Sequence, residues 1–214
     1  MVRWLIFALV LLLAPTLADA REASAPAQFE GLYLGLDTGY GFGSAGDWCF
    51  CSFVPAATDA AEGEGGITIA GDLGYAVRLG PLFFEPAIRT GYASMKFSET
   101  CSRSTVCDSE LSWLAEAQLS VGVIVYRNLA IAGSFGVAAA NVYAQIGTTA
   151  ETSAVHNGSV VGARLEQGMP DGWRMGVEYR HYDMRGSNET PTGNVDIEWK
   201  TQSLSLIIRY ELSD

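Results

Sequence analysis

The amino-acid sequence predicts an all-β protein in which eight antiparallel strands close into one up-and-down barrel. Eight segments after residue 28 alternate apolar and polar residues, which is the period of a strand with one apolar face. The connections between these segments are alternately short and long. Although 49% of the residues are hydrophobic, no apolar run after Ala20 approaches the ~20 residues of a membrane-spanning helix.

The N-terminus predicts a secretory signal peptide. A short apolar run follows Arg3 and ends at Pro15, and residues 18–20 (Ala-Asp-Ala) match the small-x-small cleavage pattern. We expect cleavage after Ala20, with Ala25 as the alternative site. A membrane anchor is the competing interpretation, but the run is too short to span a bilayer. The predicted organisation is therefore a signal peptide at 1–20, a short linker at 21–28 and a barrel domain at 29–214.

The first four segments each carry an apolar row on one face and glycine, alanine and isolated charges on the other. The apolar rows are Leu32, Leu34, Leu36 and Tyr40; Ile67, Ile69, Leu73, Tyr75 and Val77; Phe84, Ile88 and Tyr92; Trp113, Ala115, Leu119, Val121 and Val123. The polar face of a soluble sandwich is normally rich in Lys, Thr and Ser. Small residues and opposite charges instead suit the cramped interior of a narrow barrel. The pattern therefore predicts a polar interior and a lipid-facing exterior.

The last four segments repeat this arrangement. Their apolar rows are Leu129, Ile131, Phe135, Val137 and Tyr143; Val161, Ala163, Leu165 and Met169; Trp173, Met175, Val177 and Tyr179; Leu204, Leu206, Ile208, Tyr210 and Leu212. The stretch 195–199 is out of phase, because Val195, Ile197 and Trp199 fall on the opposite face. This indicates either a β-bulge or a strand that rises above the membrane.

The connections predict which end of the barrel faces which compartment. Short links fall near 80–81, 126–128 and 170–172, and longer ones cover 44–65, 100–109, 148–157 and 185–194. Short turns at one end and long loops at the other are typical of an outer-membrane barrel whose long loops lie outside the cell. An even strand number closes the sheet and removes edges that lipid would not tolerate. We therefore expect export and insertion into the outer membrane.

Four stretches resemble successive strands of small outer-membrane barrels: FEGLYLGLDTGYGFG, SWLAEAQLSVGVIV, WRMGVEYRHYDMRG and LSLIIRYEL. They are similar to the eight-stranded OmpA/OmpX-type barrels and, more narrowly, to the porin-family outer-membrane β-barrel domain of Gram-negative bacteria. Such barrels usually end on an aromatic residue, whereas this sequence ends RYELSD. The resemblance implies contact with outer-membrane lipid and lipopolysaccharide and with the barrel-assembly machinery. It also implies a structural role or the binding of an extracellular ligand or host surface through the loops.

The negative net charge indicates which kinds of partner to expect. Asp+Glu number 24 against 13 Lys+Arg, for a net charge of −11, which argues against nucleic-acid binding. Acidic residues in the predicted loops would favour cationic partners, or divalent ions that bridge to lipopolysaccharide phosphates. These residues are Asp47, Asp59, Glu62, Glu64, Asp108, Glu110 and Glu151.

The four cysteines fall in the first two predicted long loops, as Cys49 and Cys51 and as Cys101 and Cys107. An even number in an exported protein predicts disulfides. Three pairings are open: a Cys49–Cys51 bridge would be strained, whereas bridges between the two loops are geometrically reasonable. A site built from four thiolates is the alternative, but we expect neither a resident metal nor a cofactor.

The charges on the polar faces form a predicted interior network. Its members are Asp37, Asp72, Glu85, Arg89, Glu116, Arg164, Glu166, Arg174, Glu178 and Arg180. One hypothesis is an ion path through a narrow pore. The other is a salt-bridged core that fills the barrel, which we favour because an eight-stranded interior is just filled by side chains.

One further hypothesis is enzymatic. Outer-membrane lipid A deacylases are also barrels. They resemble this chain in carrying a His and a Ser on the penultimate strand, with an acid following. The candidates in this sequence are His181, Ser187 and Glu189. In the deacylase pattern the Ser follows the His by two residues, whereas Asp183 stands there in this sequence. We therefore interpret His181 as part of the outer wall, with Ser187 in a loop. His156 is predicted to lie in a loop without a partner. The sequence thus favours a structural or surface-interaction barrel, with an ion pore and a lipid A-modifying enzyme as alternatives.

Overall fold

The computed structural model describes residues 29–50, 61–102, 105–146, 150–190 and 193–212, with side chains over 29–43, 65–97, 108–145, 151–189 and 196–212. The eight strands are β1 (Gly31–Phe50), β2 (Ala61–Leu79), β3 (Leu82–Ser102), β4 (Thr105–Tyr126), β5 (Leu129–Ile146), β6 (Ala150–Gly168), β7 (Trp173–Thr190) and β8 (Gly193–Leu212). They form one closed barrel in sequence order. Each strand pairs antiparallel with the next, and β1 pairs antiparallel with β8. The predicted all-β, eight-stranded, up-and-down antiparallel barrel is confirmed.

The short turns lie where the sequence places them. β2 and β3 are joined at Gly80-Pro81, and β4 and β5 at Arg127-Asn128. A single 3₁₀ turn over Pro170–Gly172 joins β6 to β7. Arg127 and Asp171 adopt the left-handed backbone region, with φ of 47° and 62°, which tight turns of this length require. Within the described ranges no helix is long and apolar enough to cross a membrane.

The strands are longer than the alternation of outward apolar residues predicts. β4 has 22 residues and β3 has 21, and the strands extend into the predicted loops 44–65, 100–109, 148–157 and 185–194. Those loop predictions are wrong over much of their length. On β3 the alternation continues with inverted chemistry, because Met95 and Phe97 are buried while Lys96 is exposed. Hydrogen bonding between strands does not depend on which face is apolar, so the ladder continues past the membrane.

In the out-of-phase stretch β8 keeps its own alternation, as expected of a strand that rises beyond the apolar belt. The register shift against β1 at this height lies on the β1 side, between Gly46 and Cys49. Ile197 and Trp199 are buried on the same inward face as Ser203 and Ser205. The β7–β8 ladder keeps one register from Trp173 to Thr190. What changes along β8 is the chemistry of the inward residues, from polar to apolar.

The outer wall carries an apolar belt with aromatic residues toward both of its edges. Tyr75, Tyr126, Trp173 and Tyr210 lie toward the short turns, and Tyr40, Phe42, Tyr92 and Trp113 toward the opposite edge. The rings of Trp173 and Tyr210 are 4.8 Å apart. Aromatic girdles at both edges of an apolar band are the mark of a membrane-spanning barrel.

Two regions of the barrel follow from this belt. We call the wall from the short turns to the row of Tyr40, Tyr92 and Leu204 the stem. Its continuation beyond this row is the head, which comprises the described parts of 41–50, 61–66, 93–102, 105–112, 138–146, 150–160, 181–190 and 193–203. Inside the stem the side chains are mainly polar and charged, whereas the head encloses an apolar cluster.

Candidate functional site

The interior of the stem holds a dense set of charged side chains. All ten residues of the predicted network point inward, and none is more than 5% exposed. The same face of β8 contributes Arg209 and Glu211, which are 1% and 5% exposed. The prediction omitted these two, although the alternation that places Ser203 and Ser205 on the inward face places them there as well.

The upper part of the network centres on Arg89. Its Nε and Nη2 donate two parallel hydrogen bonds of 2.5 Å to the two carboxylate oxygens of Asp37, and its Nη1 donates to Glu116. The Tyr182 hydroxyl donates to Glu116 Oε1 at 2.9 Å and accepts from Arg89 at 3.1 Å. Arg180 lies 3.7 Å from the other oxygen of Glu116. Strands β1, β3, β4 and β7 are thus tied together across the barrel.

The lower part of the network centres on Glu85, which pairs with two arginines. Arg174 Nη1 donates to Glu85 Oε1 at 2.5 Å, and Arg164 pairs with Glu85 Oε2. Arg164 also contacts Glu166 at 3.1 Å and donates to Ser120 Oγ at 3.1 Å. Strands β3 and β4 on one side of the barrel are thereby linked to β6 and β7 on the other.

Arg209 joins this lower part to the remaining carboxylates. Its Nε lies 2.9 Å from Asp72 and its Nη1 3.4 Å from Glu166. The guanidinium carbons of Arg209 and Arg174 lie 5.2 Å and 4.7 Å from the centre of the Tyr33 ring. Cations over an aromatic face are stabilised most when both groups are desolvated, as they are here.

The network carries more negative than positive groups. Among the described residues, seven buried carboxylates face five buried guanidinium groups. The carboxylates belong to Asp37, Asp72, Glu85, Glu116, Glu166, Glu178 and Glu211, and the guanidinium groups to Arg89, Arg164, Arg174, Arg180 and Arg209. The stem interior is therefore electronegative as well as crowded.

Apolar side chains occupy the interior on both sides of the network. Toward the short turns, Phe29 packs on Phe83 with ring centres 5.0 Å apart, and the Phe29 backbone N–H donates to Glu211 Oε1 at 2.5 Å. In the head, Phe97 meets Trp199 edge to face at 4.6 Å. Side chains therefore fill the described interior at three successive heights.

His156 lies inside the head, and its predicted place in a loop without a partner is wrong. It belongs to β6, is 0% exposed, and its Nε2 lies 2.7 Å from Asn188 Oδ1. Asn188 Nδ2 in turn donates to the backbone oxygen of Val142 at 3.3 Å. Burial lowers the pKa of His156, and the bond to Asn188 opposes this only in part. The prediction missed Asn188 because it placed the end of β7 in a loop.

The three candidate catalytic residues do not converge. His181, Ser187 and Glu189 all lie on the outward face of β7, whose ladder extends to Thr190, so the loop assignment of Ser187 is wrong. Six residues at ~3.3 Å each separate His181 from Ser187 by roughly 20 Å. A nucleophile and its base need to be within hydrogen-bond reach, so the structure does not assemble this constellation.

The cysteines and several loop acids lie outside the described side chains. Cys51 is not described, and only the backbone of Cys49, Cys101 and Cys107 is, so their pairing stays a prediction. In the described part of the chain, no group of three or more His, Cys, Asp or Glu side chains is placed to hold a metal. Of the acidic residues assigned to loops, Asp108, Glu110 and Glu151 lie on β4 and β6 instead. The side chains of the other four are not described.

The barrel is similar to solved structures of outer-membrane proteins. The outer membrane protein OprG from Pseudomonas aeruginosa superimposes with a TM-score of 0.60 at 6% identity, over 88% of this chain and 100% of OprG. The fold is that of an outer-membrane β-barrel. The outer membrane protease OmpT from Escherichia coli gives a TM-score of 0.50 at 9% identity, over 90% and 99% of the two chains. Neisserial surface protein A gives 0.48 at 14% identity, over 86% and 98%.

These likenesses concern the fold. No family model matches the sequence, and no curated protein matches it. The prediction of an outer-membrane barrel is confirmed at the level of the fold, whereas the narrower OmpA/OmpX-type assignment stays a prediction. A protease is among the similar structures, so the fold alone does not define an activity.

Proposed function

We propose that this protein is a closed outer-membrane stem that holds a rigid β-barrel head at the cell surface, with a structural and surface-binding role. The observation that carries the proposal is that side chains fill the interior at three heights. Toward the short turns lies an apolar cluster around Phe83, which we call the Phe83 seal; above it lie the buried ion network and then the apolar core of the head. An interior filled in this way suits an anchor better than a channel.

The head supports this proposal because it is built like a small soluble barrel. Most of its inward residues are apolar, such as Met95, Leu111 and Trp199, while Lys96 and Glu198 face outward. Ten residues of β3 follow Tyr92. At ~3.3 Å per residue and a tilt of about 40°, they carry the ladder roughly 25 Å beyond the belt. Such a wall would present a fixed surface to a partner.

The charges on the outer face of the head favour a cationic partner or bridging divalent ions. The acidic residues described there are Asp108, Glu110, Glu151, Asp183, Glu189, Asp196 and Glu198, and the basic residues are Lys96, Arg185 and Lys200. Arg185 and Lys200 both bind Glu198, at 2.9 Å and 3.2 Å. Carboxylates outnumber basic groups by seven to three among these described residues, and this excess would attract cations rather than phosphates.

The experiment is a conductance measurement on the refolded protein in planar bilayers, with heat-modifiable gel migration as proof of folding. The expected result is a silent membrane, both for the protein and for a Phe97→Ala/Trp199→Ala variant in which the ion network still fills the stem. Reproducible unitary steps in the unmodified protein that grow in this variant would overturn the proposal. They would establish the pore alternative, with cation selectivity expected from the electronegative interior.

A separate measurement addresses the enzymatic alternative. Lipid A from cells with and without the protein is compared by mass spectrometry. The proposal predicts identical spectra, because His181, Ser187 and Glu189 do not form a site. A new lipid A species that disappears with His181→Ala would contradict it.

A further inference from the structure

A buried histidine within an apolar surrounding stands apart from the ion network. His156 is 0% exposed, and its Nε2 bonds to Asn188, while its Nδ1 has no hydrogen-bond partner among the described residues. The ring is held closely from the side of β7, because a Cβ added at Gly186 would lie 2.4 Å from it. The imidazole is therefore fixed in place with one ring nitrogen satisfied.

The side chains described on the neighbouring elements offer this ring no charge of either sign. Among the described residues, the inward side chains at this height are Met95 and Phe97 on β3, Ser109 and Leu111 on β4, Ala140, Val142 and Ala144 on β5, Met184 on β7, and Ile197 and Trp199 on β8. The titratable inward group next along β7 is Tyr182, whose hydroxyl donates to Glu116. Arg185, Glu189 and Glu198 lie on the outward face of β7 and β8.

Protonation is unfavourable in such a position. An imidazolium has two N–H donors, and the second makes no hydrogen bond to the described part of the chain. A buried charge without an opposite charge is also strongly unfavourable. By contrast, a head whose upper strands have separated exposes the ring to water, where it takes up a proton at its ordinary pKa of about 6.5.

We propose that the His156–Asn188 pair is an acid-sensitive latch of the head: the neutral pair holds the upper parts of β5, β6 and β7 together, and protonation of His156 releases them while the stem stays closed. This inference goes beyond the proposed anchoring function. The direction follows from linkage. Since burial lowers the pKa of His156 in the closed head, the closed state is favoured above about pH 6.5 and is progressively lost below it.

The binding of one proton determines how strongly the ratio of open to closed heads depends on pH. If only the open head binds the proton, the ratio of open to closed heads rises up to tenfold for each pH unit below about 6.5. Between pH 7.5 and pH 5 this amounts to roughly 30-fold.

The chain supplies its own matched control, because it contains two histidines. His156 is inside the head, whereas His181 lies on the outward face of β7 and is only half-buried. His156→Gln keeps a donor for Asn188 and cannot titrate. His181→Gln removes the other imidazole and leaves the latch untouched.

Amide hydrogen exchange on the full-length protein folded in lipid nanodiscs tests the latch, at pH 7.5 and pH 5 with correction for the intrinsic exchange rate. We expect amides of 151–158 and 183–189 to lose roughly 30-fold in protection at pH 5, while those of 161–168 and 173–179 do not change. The His156→Gln variant should lose none of this protection, and His181→Gln should behave as the unmodified protein. An equal loss in the unmodified protein and His156→Gln, or no loss in either, would overturn the proposal.

Two further experiments test the latch if the His156→Gln variant does not fold. Asn188→Asp places a carboxylate beside the ring, which favours the protonated imidazole, so the head should keep its protection at pH 5. The imidazole of the unmodified protein can also be followed by NMR. A midpoint at or above that of free histidine, with unchanged head amides, would contradict the latch.

Discussion

At the scale of single residues, arginine is the cation that the stem interior requires. The five buried cations in the described part of the chain are all arginines, and each contacts at least one carboxylate. A planar guanidinium can form two parallel bonds to one carboxylate, as Arg89 does with Asp37, and can stack on an aromatic ring, as Arg174 does on Tyr33. Lysine offers neither geometry.

Arg89→Ala should destabilise the barrel strongly, because it leaves Asp37 and Glu116 as buried carboxylates without their main partner. Loss of one member of a buried ion pair costs about 3–5 kcal/mol. The measurement is the free energy of unfolding in urea in lipid vesicles. Arg89→Lys should be intermediate, since it keeps the charge and loses the paired bonds.

Arg185→Ala is the matched control for this prediction. Arg185 makes the same kind of pair with Glu198 at 2.9 Å, but its side chain is 71% exposed. Exposed pairs contribute little to stability, so the change should be several times smaller than for Arg89→Ala. Equal losses from the two variants would mean that the interior network does not stabilise the stem.

At the scale of strands, inward glycines make room for large side chains that cross the barrel. A Cβ at Gly122 would lie 2.1 Å from the Phe83 ring, whereas a Cβ at Gly133 on the outer wall would meet nothing closer than 3.9 Å. Gly122→Ala should therefore lower the free energy of unfolding by about 1–3 kcal/mol through overpacking. Gly133→Ala should be neutral or slightly stabilising. Urea unfolding of both variants decides this, and a similar loss in both would contradict the packing of the Phe83 seal.

A second prediction at this scale concerns the buried tryptophan in the upper half of β8. Trp199 is 0% exposed and packs on Phe97, whereas Trp173 is 44% exposed on the lipid side. Trp199→Ala should lower protease resistance of the head, because truncating a buried tryptophan costs about 3–5 kcal/mol. Trp173→Ala should leave the head as resistant as before. Protease digestion of the folded protein, followed by mass spectrometry of the fragments, measures this difference; a head still resistant after Trp199→Ala would contradict the apolar core.

The strands differ in how much of their length residue alternation predicts. Alternation identifies a strand by its apolar outward row, so Leu204 to Leu212 could be assigned to the wall from the sequence. The same test fails for β3 beyond Tyr92, where Met95 and Phe97 turn inward and polar residues turn outward. Where the outward apolar row stops, the prediction places a loop. It does so from residue 44, whereas β1 continues to Phe50.

Partners across the barrel are beyond such reasoning. A period of two gives the face of Arg174 but not its contact with Glu85, which is 89 residues away. That contact depends on strand tilt and register, which only the closed barrel determines. The pairing of His156 with Asn188 across 32 residues was missed for a different reason, because both residues fall in predicted loops.

At the scale of the whole molecule, the chain divides into two regions with opposite chemistry along one continuous sheet. The stem is apolar outside and charged inside, as lipid and a narrow lumen require. The head is polar outside and apolar inside, as a folded domain in water requires. In the proposed function, the stem anchors the protein and the head presents a surface, although both belong to one continuous sheet.

The central claim is that the strands stay folded above the membrane. Nitroxide labels placed singly at Leu206 and Lys200, both outward on β8, test it through their mobility and their accessibility to oxygen and to a nickel chelate in lipid vesicles. We expect the Leu206 label to contact oxygen in the bilayer. The Lys200 label should contact nickel and have the immobilised spectrum of an ordered strand. A freely mobile Lys200 label, or lipid-like accessibility at both positions, would contradict it.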